Sequence, residues 1–107
     1  MIAHNVYFTL NDNSEVARNE LVGDCKRYLA DLPGSLSLAC GMLAADRVRP
    51  VNVRDFDVGL HIVFEDKEAH DNYQVAASHI RFVEKHKGNW KQVRVFDTEV
   101  EWLATEE

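Results

Sequence analysis

The sequence predicts an α+β domain with one four-stranded antiparallel sheet and its helices on one side. Three observations carry this. Residues 2–10 and 56–64 alternate apolar and polar side chains with the period of two that a half-buried strand needs. After each of those strands, apolar residues recur at helical spacing. Clusters of turn and cap residues separate these stretches. The 107 residues are 46 % apolar and 28 % charged, the balance of an ordinary folded chain. A chain of this size buries roughly two-thirds of its unfolded surface. A single domain over residues 1–107 is therefore expected, without disulfide or metal to staple it.

The elements follow in order. In IAHNVYFTL, residues 2–10, Ile2, His4, Val6, Phe8 and Leu10 share one face, and Ala3, Asn5, Tyr7 and Thr9 the other. Asn11-Asp12-Asn13-Ser14 supplies turn and N-cap chemistry. The helix after it carries Leu21, Val22, Cys25, Tyr28, Leu29 and Leu32 on its apolar side and stops at Pro33-Gly34. Residues 36–44 read as the second strand. Residues 45–55, with Arg47, Arg49, Pro50 and Arg54, read as a long polar connection. In the third strand Phe56, Val58, Leu60, Ile62 and Phe64 alternate with Asp57, Gly59, His61 and Val63. A short helix opens at Glu65-Asp66-Lys67-Glu68 and reaches about Gln74. A second piece runs from about Ala76 to His86, where Lys87-Gly88-Asn89 stops it. Trp90 to Thr98 forms the fourth strand, and a tail with Val100, Trp102 and Leu103 follows.

The order is β-α-β-β-α-β, the ferredoxin-like arrangement. Right-handed crossovers place the first and third strands side by side at the centre, with both helical regions on one face. The other face is assigned Tyr7, Ala39, Leu43, Val63, Val93 and Val95, too apolar for open water. A second copy packed sheet to sheet is expected to cover it, giving a homodimer with the Trp102 tail lying across the partner.

Composition also narrows the partners. A net charge of −6 argues against nucleic acid, whose phosphates need clustered Lys and Arg. No apolar run approaches the ~18 residues of a membrane span. Cys25 and Cys40 have no CxxC neighbour, so zinc-ribbon and thioredoxin spacings are absent, although a bridge between the two stays open. The start Met-Ile-Ala-His-Asn has neither a basic nor an apolar leader segment, so a cytoplasmic location with reduced thiols is expected.

Several segments are familiar as a set. They are Ala3-His4-Asn5-Val6-Tyr7-Phe8, Asp31-Leu32-Pro33-Gly34, Asp57-Val58-Gly59-Leu60 with Val63-Phe64-Glu65-Asp66, Tyr73 followed by His79, and Val95-Phe96-Asp97. Together they resemble the stress-responsive α/β-barrel (Dabb) domain family of the dimeric α/β-barrel superfamily, over nearly the whole chain. The resemblance implies two four-stranded sheets packed face to face. Some plant members that the chain resembles are polyketide cyclases, which close a linear poly-β-keto chain by an intramolecular aldol step. In them a strand-one histidine, a helix tyrosine and a helix histidine line a pocket between sheet and helices. The matching residues are His4, Tyr73 and His79. Two positions depart from that subgroup. Ala76-Ala77 replaces a common His-Pro pair, and Cys25 stands where the cyclases carry a pocket tyrosine.

The chemistry of the three residues is coherent on its own terms. His4 shares a face with Ile2, Val6 and Phe8, and His79 a stripe with Phe82, Val83 and His86. An imidazole in a half-apolar pocket stays neutral near pH 7 and can take a proton from a carbon acid. Such general-base action is typically worth 10²–10⁴-fold. Tyr73 is placed to donate to a developing enolate oxygen. The blander alternative is structural: a strand histidine hydrogen-bonded for packing and a tyrosine in the core. His61 is assigned to the dimer face, and His70 and His86 to solvent or partly so. His4, His61 and His79 lack local ligand spacing and do not share one side of the sheet, so neither metal nor other cofactor is expected. Cys25 reads as core, the loop arginines as solvated, and Asp55 and Asp57 as unpaired for catalysis.

Three functions fit these residues. One is a domain binding a small aromatic or polyketide-like ligand at a His/Tyr acid–base site, with or without cofactor-free cyclase chemistry. Another is a cofactor-free monooxygenase of quinol-like substrates. The last is a non-catalytic, stress-related dimerisation or binding module.

Overall fold

Strict alternation makes β1 (Ile2–Leu10) the spine of the sheet, with every odd member of the series from Ile2 to Leu10 buried and every residue between them half-exposed. The computed structural model describes residues 1–101. It joins β1 to α1 (Glu15–Leu29), β2 (Ser35–Met42), β3 (Val58–Phe64), α2 (Lys67–Val75), α3 (Ala77–His86), a single 3₁₀ turn at Lys87–Asn89, and β4 (Trp90–Glu99). The sheet order is β2-β3-β1-β4, and each neighbouring pair is antiparallel. The α+β, ferredoxin-like order is therefore the predicted one, with the second helical region broken in two.

Local chemistry sets the boundaries. Ser14 caps α1, its Oγ accepting from the Ala17 N–H at 3.2 Å. Asp66 caps α2 in the same way, accepting from the Ala69 N–H at 2.8 Å. After α1 the chain turns through two left-handed residues, Asp31 at φ 62° and Gly34 at φ 82°. A Cβ on Gly34 would collide with Cβ of Ala69, so this position where α1's exit meets α2 admits only glycine. Between α2 and α3, Ala76 is extended at φ −64° and ψ 141°, which re-aims α3.

The core lies between helices and sheet. Phe8, Leu21, Cys25, Leu29, Val58, Leu60, Ile62, Phe64 and Phe82 are buried there. At the far side α1 and α3 are tied by a buried hydrogen bond, His86 Nε2 to Asp24 Oδ2 at 2.8 Å, with Lys85 Nζ at 2.7 Å from the same oxygen. The expectation of a solvated His86 is thus corrected: it closes the α1–α3 seam against Phe82, whose ring centroid is 5.1 Å away. Burial alone pushes the Asp24 carboxyl up, but hydrogen bonds from Lys85 and His86 outweigh it and hold it below the usual carboxylate range.

Two corrections concern which face a strand residue occupies. Phe56 does not continue the alternation of β3. The Asp57 N–H bonds to the Phe8 carbonyl at 2.8 Å, and Asp57 Oδ2 accepts from the Leu10 N–H at 2.8 Å. The strand proper starts at Val58, and Phe56 lies against Tyr7 on the open face, centroids 4.9 Å apart. In β4 the parity is the reverse of the expectation. Val95 pairs with Val6 and Val93 with Phe8, so both valines lie on the helix side. Phe96, opposite Asn5, takes the open face. That face therefore carries Tyr7, Phe56, His61, Val63, Phe96 and Ala39. No helix of the described residues is long and apolar enough to cross a membrane. Trp102, expected to lie across a partner, falls outside the described residues.

Candidate active site

The parity of β4 that removes Val95 from the open face also brings Asp97 directly opposite His4. Their side chains meet on the helix side, Nδ1 of His4 standing 2.6 Å from Oδ1 of Asp97. An ionised carboxylate only accepts, so His4 carries its proton on Nδ1 and leaves Nε2 free as a base. From α2, Nε2 of His70 approaches the same His4 Nδ1 at 3.2 Å. One turn further on, the Gln74 amide donates to that His70 nitrogen at 3.1 Å. His70 Nε2 is therefore the unprotonated ring nitrogen, its lone pair shared between the Gln74 amide and His4. His70 is half-buried, the partly solvated position expected of it.

Aromatic packing extends the cluster toward α3. The Tyr73 ring lies 5.6 Å from His4 and 4.9 Å from Phe64. The His79 ring, in the first turns of α3, lies 4.6 Å from Tyr73. Tyr73 thus packs against both His4 and His79. The break at Ala76 is what places them so, because it lets α3 return His79 over the end of α2. Nδ1 of His79 is buried without a hydrogen-bond partner. Such an orphan is uncommon, since buried polar atoms are normally satisfied.

Burial sets the protonation states. It lowers the His4 pKa, with the Asp97 hydrogen bond and charge working against it and His70 adding to it. It also lowers that of His79, opposed by the Gln74 backbone and aided by His4. The Tyr73 hydroxyl is pushed well up by the same loss of water. His4 and His79 are therefore held toward the neutral imidazole beside a firmly protonated phenol, which pairs proton acceptors with a donor.

The other sequence candidates fall elsewhere. His61 sits on the open face, with Nδ1 2.7 Å from Oδ1 of Asn5. Cys25 and Cys40 are free thiols, the first in the core. Arg54 donates to the Ala45 and Arg47 carbonyls and Arg49 to Asn52, so these loop arginines brace their own loop. Asp55 pairs with Arg94 at 2.8 Å, and Asp57 serves β1. On the open face a cavity of about 430 Å³ is lined by Asn5, Tyr7, Val53, Phe56, Arg94 and Phe96.

Sequence reasoning missed His70 and Asp97. The signal for His70 was local, one turn before Gln74 and three residues before Tyr73. Asp97 was hidden by the parity of β4. The spacing argument against metal rests on His4, His61 and His79 and does not touch the trio that meets: His4 Nδ1, His70 Nε2 and Asp97 Oδ1 all lie within 4.8 Å of one another.

Known proteins share this architecture. A Dabb family protein with a ferredoxin-like fold from Mesorhizobium loti superposes with a TM-score of 0.76 at 20 % identity, over 94 % of this chain and 97 % of that one. A dimeric ferredoxin-like protein of unknown function from Jannaschia gives 0.73 at 21 % identity, over 92 % and 98 %. The hydroxynitrile lyase of Passiflora edulis gives 0.75 at 13 % identity, over 97 % and 96 %. No curated protein matches the sequence. The sequence profile of the stress-responsive A/B barrel domain, however, matches residues 2–100. The chain belongs to the stress-responsive α/β-barrel (Dabb) domain family.

Proposed function

We propose that this Dabb domain, residues 1–107, works as a homodimer that binds a small aromatic or polyketide-like ligand and moves a proton on it without a cofactor. His79 is the base, Tyr73 donates to the developing enolate oxygen, and His4, held by Asp97, orients the ligand carbonyl. The observation that carries this reading is the unpartnered buried Nδ1 of His79 beside Tyr73, with ring centroids 4.6 Å apart. A buried imidazole nitrogen without a close hydrogen-bond partner, next to a protonated phenol, supports acid–base work on a carbon acid.

Two facts support the dimer. Phe96 is 55 % exposed on a face that also presents Tyr7 and Phe56, an apolar surface a single chain leaves uncovered. The Jannaschia neighbour is described as dimeric. The Passiflora neighbour, a hydroxynitrile lyase, adds that an enzyme can be built on this scaffold.

A second reading is favoured by one observation. His4 and Tyr73 are only 4 % and 3 % exposed, so the cluster is closed by its own side chains in the isolated chain. That fits a non-catalytic binding and dimerisation module. Exchange of α-protons separates the two. Aryl 1,3-diketones incubated in deuterated buffer are expected to lose their α-proton signal faster with the protein than without it, and His79→Ala abolishes the difference. No acceleration across a panel of such ketones sinks the acid–base reading and leaves the module.

A further inference from the structure

We infer that His4, His70 and Asp97 form a binding site for one divalent transition-metal ion of the zinc type. The donor atoms are His4 Nδ1, His70 Nε2 and Asp97 Oδ1, separated by 2.6, 3.2 and 3.9 Å. Ligands that each stand 2.0–2.2 Å from one ion lie roughly 3–3.5 Å from each other. The three separations bracket that range, so side-chain adjustments of a fraction of an ångström suffice.

Electron-pair counting points the same way. Gln74 donates to His70 Nε2, so that nitrogen is the unprotonated one, and an ion takes its lone pair by displacing the Gln74 amide. The carboxylate of Asp97 offers another. Both converge on His4 Nδ1, whose single proton is the one positive centre serving two acceptors. A divalent ion replaces that proton and satisfies all three donors at once, releasing the proton to solvent.

The ligand set selects the kind of ion. Two imidazoles and one carboxylate suit zinc, cobalt, nickel or ferrous iron, whereas magnesium and calcium take oxygen shells. The scaffold is firm on two sides, because cross-strand register fixes His4 against Asp97 and the Asp66 cap anchors the first turn of α2 below His70. It is open on the third, since the Asp97 side chain is 41 % exposed. Three protein ligands with an open position are the pattern of a site that exchanges water or ligand, not of a closed structural one. The inference goes beyond the acid–base reading and shares His4 and Asp97 with it; its test reads metal binding without any ligand, so its failure leaves that reading standing.

The test is a titration of the chelator-treated protein with zinc(II) by calorimetry, repeated with cobalt(II) for its visible absorption. One ion per chain is expected, with heat that varies with buffer ionisation as a proton leaves. In ¹H–¹⁵N spectra of the wild type, the ring nitrogens of His4 and His70 shift while those of His61 and His86 stay. His70→Ala and Asp97→Asn, at half-exposed and exposed positions, are each expected to weaken binding about 100-fold with unchanged circular dichroism. Absence of saturable binding overturns the inference. So does binding that moves other histidines instead, which the wild-type spectra report even if a variant misfolds.

Discussion

The two faces of the sheet place a histidine in opposite settings, His4 of β1 on one and His61 of β3 on the other. On the helix side, His4 belongs to a chain of polar groups, Asp97, His70 and Tyr73, that leads on to the unpartnered His79. On the open side, His61 makes one closed pair with Asn5, and its ring lies 5.7 Å from that of Tyr7. One face collects proton donors and acceptors under cover, and the other collects rings in the open. The comparison teaches that strand parity sorts the buried polar cluster and the exposed aromatic surface to separate sides of one sheet. It also allows each side to be damaged without the other.

The largest effect is expected from the buried side. Phe64 is fully buried and its ring lies within 6.1 Å of the ring centres of His4, His70 and Tyr73. Phe64→Ala removes that floor and is expected to cost about 3–5 kcal/mol in urea unfolding, most of what a domain this size has to lose. A loss below about 1 kcal/mol would mean the cluster does not rest on this core.

On the open side the expected damage is to assembly. Phe96→Glu places a charge where a partner sheet is to pack, while in the single chain the residue is 55 % exposed. Sedimentation is expected to show the dimer replaced by monomer, with far-ultraviolet circular dichroism unchanged. A variant that stays dimeric removes this face from the interface.

How far the sequence alone carries follows from these same residues. Ile2, Val6, Phe8 and Leu10 repeat with period two over nine residues, so β1 and the side facing the helices were legible. The central position of β1 and β3 followed from connection handedness. β4 was not legible in the same way. WKQVRVFDTE has apolar residues on both parities, Val93 and Val95 on one, Trp90 and Phe96 on the other, and an edge strand leaves both sides partly exposed. Only pairing with β1 decides between them. That choice moves Asp97 from the open face to His4, so the carboxylate partner of His4 depends on a register no single-strand pattern contains. His86 illustrates a second limit. Its partner Asp24 is 62 positions away, on another helix, and an acidic residue on an amphipathic helix reads as solvated until α1 and α3 are docked.

A subtler change separates packing from proton transfer within the buried side. Tyr73→Phe keeps the ring against Phe64 and His79 and removes only the hydroxyl. Stability is expected to stay within about 1 kcal/mol. The α-proton exchange rate with an aryl diketone is expected to fall about 100-fold, as loss of a hydrogen bond to a developing oxyanion does. Equal rates in the two proteins would make Tyr73 a packing residue.

The smallest effect, and the most specific, is a slope. Burial lowers the His4 pKa and Asp97 opposes the lowering. A histidine whose folded pKa lies below its unfolded one, about 6.5, contributes fully above that value. Its contribution is lost as pH falls from there toward the folded pKa, because the unfolded chain binds the proton more readily. Asp97→Asn removes the opposing charge, so the His4 pKa drops further and the loss on acidification deepens. Each unit of added shift is worth about 1.4 kcal/mol. Urea unfolding at pH 7.5 and pH 5.5 reads it: the variant is expected to lose more stability between the two than the wild type, by up to about 1 kcal/mol. The sign is the discriminating feature. Loss of a merely structural hydrogen bond lowers stability equally at both pH values, whereas a charge that steadies the buried imidazole lowers it more at the acidic one.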